Sequence, residues 1–304
     1  MNESNDCVVR CYGITKDPET NNFMMVMEYA QNGSLRQYLN SSFDSLNGNE
    51  KLFNLVTIAA GLQAIHIKRL IHHDFHCGNI LNNENDRGKI YSLITDLGLC
   101  KPANVECSQS EDKKIYGVLP YVSPEVLRGK NYTQASDIYG FGIIAHELYT
   151  GLPPYHDIPH DEFLAVKICQ GLRPKSNYKI PQLISDIIQQ CWDADPLKRP
   201  NASELADLFR DFWNKANKSG SGYNENAMIN QQIKEADEIN KQLPPLTIPS
   251  TDILSYATHP QAIYTSRLLD FKIFQNQKML IVMIFQNIQV IKLFILIKLL
   301  LLLI

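Results

Sequence analysis

Surplus charge is the first thing this sequence lacks: 29 Lys and Arg stand against 32 Asp and Glu, a net charge of -3, which offers no electrostatic argument for a nucleic-acid partner. Paired cysteines are missing as well. The seven cysteines are odd in number and contain no C-x-x-C pair, which argues against both a disulfide framework and a zinc finger. The opening residues Met1-Asn2-Glu3-Ser4-Asn5-Asp6 are polar and lack the basic-then-apolar order of a secretory signal. A reducing, cytoplasmic setting is the expectation. What is present suffices for a sizeable core: 304 residues, 44% hydrophobic and 20% charged, enough for one large domain or two small ones.

The chain is organised around Ile71-His72-His73-Asp74-Phe75-His76-Cys77-Gly78-Asn79-Ile80-Leu81, with Asp96-Leu97-Gly98 following fifteen residues after Leu81. Asp74 and Asn79 lie five apart in a turn whose ends carry apolar pairs, so both side chains can point into one cleft. Asp96 adds a third oxygen-bearing side chain after the apolar Ile94 and a short strand.

These motifs resemble the catalytic and magnesium loops of the eukaryotic protein kinases, H-R-D-L-x-x-x-N and D-F-G. Phosphoryl transfer leaves a protein mainly positioning and charge stabilisation to do. The resemblance implies that Asp74 is the general base and that Asn79 and Asp96 supply hard oxygen ligands to Mg²⁺ beside ATP. Gly98 frees the backbone where that loop turns sharply.

Two apolar, strand-length runs, Val8 to Ile14 and Phe23 to Tyr29, are joined by a polar turn through Asp17-Pro18 and look like the last two strands of the kinase small lobe. On that resemblance Met27 is the gatekeeper, Glu28 to Ala30 form the hinge that holds adenine, and Leu81 is the apolar floor under the ring. Gly33-Ser34-Leu35 opens a short helix, and residues 51 to 69 form a longer one with Leu55, Ile58, Ala59, Leu62 and Ile65 on one stripe. A polar loop with Ser108, Ser110, Glu111 and Asp112 precedes Gly117 to Glu125, which resembles the activation loop and A-P-E segment with Ser123 in place of Ala.

Thr133 stands at an N-cap before a helix running through Asp137 to Thr150, and further helices are signalled from His160 to Gly171, from Pro181 to Trp192 and after Asn201. In the kinase family the first-turn Asp, here Asp137, holds the catalytic-loop backbone, and the Arg at Arg199 pairs with the Glu at Glu125. Gly140-Phe141-Gly142-Ile143-Ile144-Ala145 fits a dinucleotide fingerprint but falls inside an apolar helical run, where helix packing accounts for it. The cluster His72, His73, Asp74 and His76 has no second ligand group at zinc-like spacing.

Several positions depart from the family. No G-x-G-x-x-G precedes Val8, and the strand Lys and its helix Glu are missing with it, so the reading is of an N-terminally truncated kinase domain. His73 replaces the catalytic-loop Arg, His76 replaces the Lys that faces the γ-phosphate, Val118 replaces a Thr, and Leu97 replaces the Phe of D-F-G while keeping an apolar contact. Leu119-Pro120-Tyr121 is closer to Ser/Thr and tyrosine-kinase-like groups than to true tyrosine kinases.

The tail changes character twice. Asn214 to Asn226 turns to Asn, Lys, Ser and Gly, a linker composition, and Ile229, Ile233, Ala236, Ile239 and Leu243 then recur at helical spacing until Pro244-Pro245. Met279 to Ile304 is almost wholly Ile, Leu, Met, Phe and Lys. Two readings stand for it, an out-of-frame or unspliced stretch and a tail anchor in an intracellular membrane interrupted by Gln286, Lys292 and Lys298.

The expected architecture is α+β with a protein-kinase-like fold: mostly the helical large lobe, two remaining small-lobe strands and the hinge. Residues 1–213 form the partial kinase domain, 214–278 a linker and short amphipathic helix, and 279–304 the hydrophobic tail. The expected function is transfer of the ATP γ-phosphate to Ser/Thr of a protein substrate. The alternative is a truncated pseudokinase acting as a protein-binding module. The oligomeric state is left open.

Overall fold

Short capping signals and a few apolar stripes set the element order of the computed structural model, which describes residues 7–86, 88–103, 115–217, 225–248, 253–254 and 256–270. A hairpin comes first. Strand β1 (Cys11–Lys16) pairs antiparallel with β2 (Phe23–Met27), with a register shift between Cys11 and Gly13. The turn is tied by Asp17, whose carboxylate accepts from the Glu19 N–H at 2.8 Å and from the Thr20 hydroxyl at 2.8 Å.

Helix α1 (Leu35–Ser42) opens with a capping box in which Ser34 accepts from the Gln37 N–H and the Gln37 side chain accepts from the Ser34 N–H. Asn47 and Glu50 repeat the device for α2 (Gly48–Ile67). That box starts α2 three residues before the expected Lys51. Past its end, Arg69 turns left-handed at φ 57 and leads into β3 (Leu70–Ile71), so the helix stops short of the expected residue 69. The hairpin β4 (Ile80–Glu84) and β5 (Ile90–Ile94) follows, then β6 (Lys101–Pro102) paired with β3. The polar loop with Ser108, Ser110, Glu111 and Asp112 lies outside the described residues.

Strand β7 (Ile115–Gly117) precedes the short α3 (Pro124–Leu127) and the long α4 (Gln134–Thr150), which Thr133 and Ser136 cap. Within α4, a Cβ at Gly140 would come to 2.8 Å from the Phe75 carbonyl oxygen, and one at Gly142 to 2.7 Å from the Trp192 ring. The two glycines are there for close packing, which removes the dinucleotide fingerprint. Helix α5 (Glu162–Cys169) starts at an Asp161 cap, and α6 (Gln182–Cys191) and α7 (Ala202–Asn217) complete the helical body. Its core joins Leu52, Leu55, Ile58 and Leu62 of α2 to Ile143, Ile144 and Leu148 of α4 and to Leu205 and Phe209 of α7, all fully buried.

Helix α7 runs to Asn217, three residues past Asn214 where composition turns linker-like, because Phe212 stays buried and Asn217 donates back to the Trp213 carbonyl. Helix α8 (Glu225–Asn240) then docks on the body: Ile229, Ile233 and Ala236 are buried, and Asp237 accepts from the Gly48 N–H at 3.0 Å. The helical stripe stops there, since Ile239 is exposed and the helix ends before Leu243. Strands β8 (Thr247–Ile248) and β9 (Ile253–Leu254) pair with each other, and β10 (Arg267–Leu269) pairs antiparallel with β7.

The architecture is α+β, a helical body with a reduced strand-built lobe at one end. No helix among the described residues is long and apolar enough to cross a membrane, and residues 279–304 lie outside the described residues.

Candidate active site

The hairpin of β4 and β5 gathers the predicted residues. Ile80 pairs with Ile94 at its end, and the Thr95 N–H donates to the Asn79 carbonyl at 3.0 Å. Asn79, just before β4, and Asp96, just after β5, therefore emerge side by side. Asp96 takes a left-handed conformation, φ 57 and ψ 63, and is exposed. The Asn79 amide nitrogen donates to the Asp74 carbonyl at 2.9 Å and to Asp74 Oδ2 at 3.2 Å. Asp74 is thus pinned by the residue five positions on, as the spacing implied. Leu97 is 41% exposed on the turn after Asp96.

The turn that carries Asp74 hangs from α4. Asp137 is buried in the first turn of that helix and accepts from the His72 N–H at 2.8 Å, the His73 N–H at 3.2 Å and His66 Nε2 at 2.9 Å. His73 needs that support because its backbone is left-handed, φ 71. Its ring stacks on Tyr132 with centroids 4.6 Å apart, and burial lowers its pKa against the pull of Asp137. Where the kinase pattern has a permanent cation, this chain has a ring held toward neutrality.

His72 is fixed from both nitrogens. The Asp74 N–H donates to His72 Nδ1 at 3.3 Å, so Nε2 carries the proton and donates to the Thr95 carbonyl at 3.0 Å. His76 is oriented in the same way. Gly78 N–H donates to its Nδ1 at 3.0 Å, which turns Nε2 toward Asp74 Oδ2, 3.6 Å away.

Asp74 is 4% exposed. Burial pushes its carboxyl pKa up, but hydrogen bonds from His76 and Ser266 and the positive field of the neighbouring imidazoles outweigh it, so the pKa lies below the ordinary aspartate value. The carboxylate stays charged at neutral pH. Its Oδ2 accepts from the Ser266 hydroxyl, while Oδ1 is buried with no hydrogen-bond partner among the described residues. A cavity of about 10 Å³ beside it is lined by Gly117, Val118, Tyr121, Tyr132 and others.

A wider groove of about 450 Å³ runs along Gly33, Ser34, Gln37, Gly78, Leu81 and Tyr264. Leu81 forms a bridge with Ser34, and the Asn32 N–H donates to the Asn82 carbonyl at 3.1 Å, so the segment after β2 is stitched to β4. Of the expected adenine contacts, Ala30 is buried and Glu28 donates its N–H to the Arg10 carbonyl at 2.8 Å, whereas Met27 is exposed at the end of β2.

Glu125 and Arg199 meet away from the cleft. Two parallel bonds, Arg199 Nη1 to Oε1 at 2.7 Å and Nη2 to Oε2 at 2.8 Å, form a buried fork, and the same Nη1 reaches the Ala135 carbonyl at 2.8 Å. Burial alone would raise the Glu125 pKa, yet the Arg199 bonds lower it. The pair clamps the segment after the cleft to the start of α4.

Sequence reasoning missed two groups. His66, a last-turn residue of α2, completes the Asp137 cluster across 71 positions, and Ser266 reaches Asp74 across 192. Neither separation leaves a periodic or motif signal. An ion pair of the half-buried Arg36 with the buried Glu147, to which Tyr121 also donates, was not foreseen either.

A family model described as protein tyrosine and serine/threonine kinase matches residues 1–209. A probable serine/threonine-protein kinase of Dictyostelium discoideum is 34% identical over 191 residues, which is 63% of this chain and 20% of that protein. A second from the same organism is 35% identical over 192 residues, 60% of this chain and 7% of that protein. A tyrosine-protein kinase of Girardia tigrina is 29% identical over 201 residues, 64% of this chain and 39% of that protein. The chain spans well under two thirds of the length of each of these relatives.

Proposed function

The chain belongs to the protein tyrosine and serine/threonine kinase family, and from that membership we propose that it transfers the γ-phosphate of ATP to Ser or Thr hydroxyls of a protein substrate. The observation that carries this reading is the pinning of a buried, charged Asp74 by Asn79 at the hairpin end where Asp96 emerges. Asp74 accepts the acceptor's hydroxyl proton. His76, turned by Gly78, lies beside it, where its imidazole adds positive character next to the incoming phosphate.

Two hard oxygen donors fit a magnesium ion. Asn79 commits its amide nitrogen to Asp74, which leaves its carbonyl oxygen as the group it offers, and Asp96 presents an exposed carboxylate that caps nothing. Magnesium, when bound there, supplies charge neutralisation for the phosphates. Leu81 and the backbone from Glu28 to Ala30 give the adenine a floor and an edge.

The test is transfer of labelled phosphate from ATP to a Ser/Thr peptide library. Asp74→Asn should lower the rate by about 10²-fold or more, with thermal stability changed by about 1 kcal/mol at most, since the isosteric amide still accepts from Asn79. Transfer at the parental rate would remove Asp74 from the role of base.

The exposed apolar faces of β1 and β2, with Tyr12, Ile14 and Phe23 each more than 60% exposed, favour a second reading as a protein-binding module. Melting with and without Mg-ATP separates the two. A nucleotide at 100 times its Kd adds about 2.7 kcal/mol of stability, and a flat melting temperature supports the module.

A further inference from the structure

The acceptor side of the cleft is filled by the chain's own residues 256–270. Strand β10 lies against β7 in antiparallel register, Arg267 opposite Gly117, Leu268 opposite Tyr116 and Leu269 opposite Ile115. Leu269 is buried. Four further ties hold the segment along the helical body: the His259 N–H donates to the His156 carbonyl at 2.7 Å, the His160 N–H to the Gln261 carbonyl at 3.0 Å, the Tyr264 hydroxyl to the Pro154 carbonyl at 3.0 Å, and the Arg267 guanidinium to the His160 carbonyl at 2.7 Å. This is a docked strand with its own anchors.

The docking delivers one hydroxyl to the catalytic turn. Ser266 Oγ donates to Asp74 Oδ2 and stands 3.2 Å from His76 Nε2. Thr265, its neighbour, is exposed. We propose that Ser266 is a phosphate acceptor in cis, the chain's own segment 256–270 occupying the groove that an outside peptide would use.

The step rests on Asp74 serving as base. Ser266 Oγ forms a bond to the γ-phosphorus of ATP, the bond from that phosphorus to the β–γ bridging oxygen breaks, ADP leaves, and the hydroxyl proton passes to Asp74 Oδ2. The product sets a phosphate of charge about -1.5 to -2 against the Asp74 carboxylate. Like charges at hydrogen-bond distance in a partly desolvated site repel strongly. The modified segment therefore leaves the cleft, and the groove opens to other acceptors.

The experiment uses the full chain with Mg-ATP, followed by intact mass and phosphopeptide mapping at several dilutions. The expected result is one phosphate on Ser266, acquired with a rate constant independent of protein concentration, absent in Ser266→Ala and kept in Ser266→Thr. Transfer to a Ser/Thr peptide library with Ser266 unmodified, or labelling of Ser266 that slows on dilution, overturns the cis acceptor and leaves the phosphotransferase reading standing. No transfer to any acceptor overturns both.

Hydrogen exchange reads the docking without chemistry. The amides of 267–269 should be protected in the unmodified chain, and Ser266→Glu should speed their exchange by about tenfold or more. Unprotected amides in the parent chain would show that the segment does not lie there, and the proposal falls whatever the activity.

Discussion

The hairpin of β1 and β2 and the helical body below it are built on opposite principles. Every residue of the two strands is exposed, including Tyr12, Ile14, Phe23 and Met25, and what holds the ribbon is a ladder of backbone bonds and one Asp17-tied turn. In α4, every residue from Ser136 to Thr150 is buried. A two-stranded ribbon alone is marginal in water, whereas a helix buried on all sides draws on the whole core around it. The turn that carries Asp74 is attached to the second kind of structure, through Asp137 and the β4–β5 hairpin. Rigid geometry is therefore supplied from the helical side, and the proposed nucleotide edge lies at the end of the thin one.

Four measurements press on that contrast. Arg199→Ala should have the largest effect, a loss of about 3–5 kcal/mol in denaturant unfolding, because Glu125 is left buried and charged without its partner. A loss under about 1 kcal/mol would mean that the fork does not hold the body together.

Acid is the second probe. Burial lowers the pKa of His146, inside α4, to about 4 from its ordinary 6.5. Between those values the unfolded chain takes up a proton that the folded chain refuses, so stability falls as pH drops, by about 1.4 kcal/mol per pH unit. Glu125 acts at lower pH. Its folded pKa is depressed, so its contribution is full above the ordinary 4.5 and is lost as pH falls through the folded value. His146→Leu should flatten the first limb of the curve and leave the second, and an unchanged first limb would exclude His146 as its source.

Asp137→Ala comes third. The N–H groups of His72 and His73 lose their acceptor, which costs about 1–3 kcal/mol, and phosphate transfer should fall by more than stability does. Equal activity in variant and parent would show that the turn keeps its shape without α4. The smallest effect belongs to the ribbon: Phe23→Ser or Ile14→Ser should move stability by about 0.5 kcal/mol or less. A loss above about 2 kcal/mol would show that another surface covers these side chains in solution.

Much of this was legible from local sequence. Asp74 and Asn79 meet because five residues of one tight turn separate them, and Thr133, Asp161 and Asn201 announce their helices by side chains that bond within three residues. The start of α2 was misplaced because its signal is the Asn47–Glu50 box, which precedes the apolar stripe. The helix at 225–240 showed its stripe, but Ile239 and Leu243 looked equivalent to Ile229 until docking chose which turns to bury.

By itself the sequence determined the identity of the carboxylates and the caps of several helices, Thr133, Asp161 and Asn201 among them, since these act within a few positions along the chain, while the kinase-like order of elements followed from the resemblance of its motifs. Only the tertiary structure decided what stands next to Asp74. The hydroxyl of Ser266 arrives from 192 residues away, and the His66 imidazole that meets Asp137 comes from 71 residues away. Such pairings are made by the summed packing of helices and a three-residue strand, and no local pattern encodes that sum.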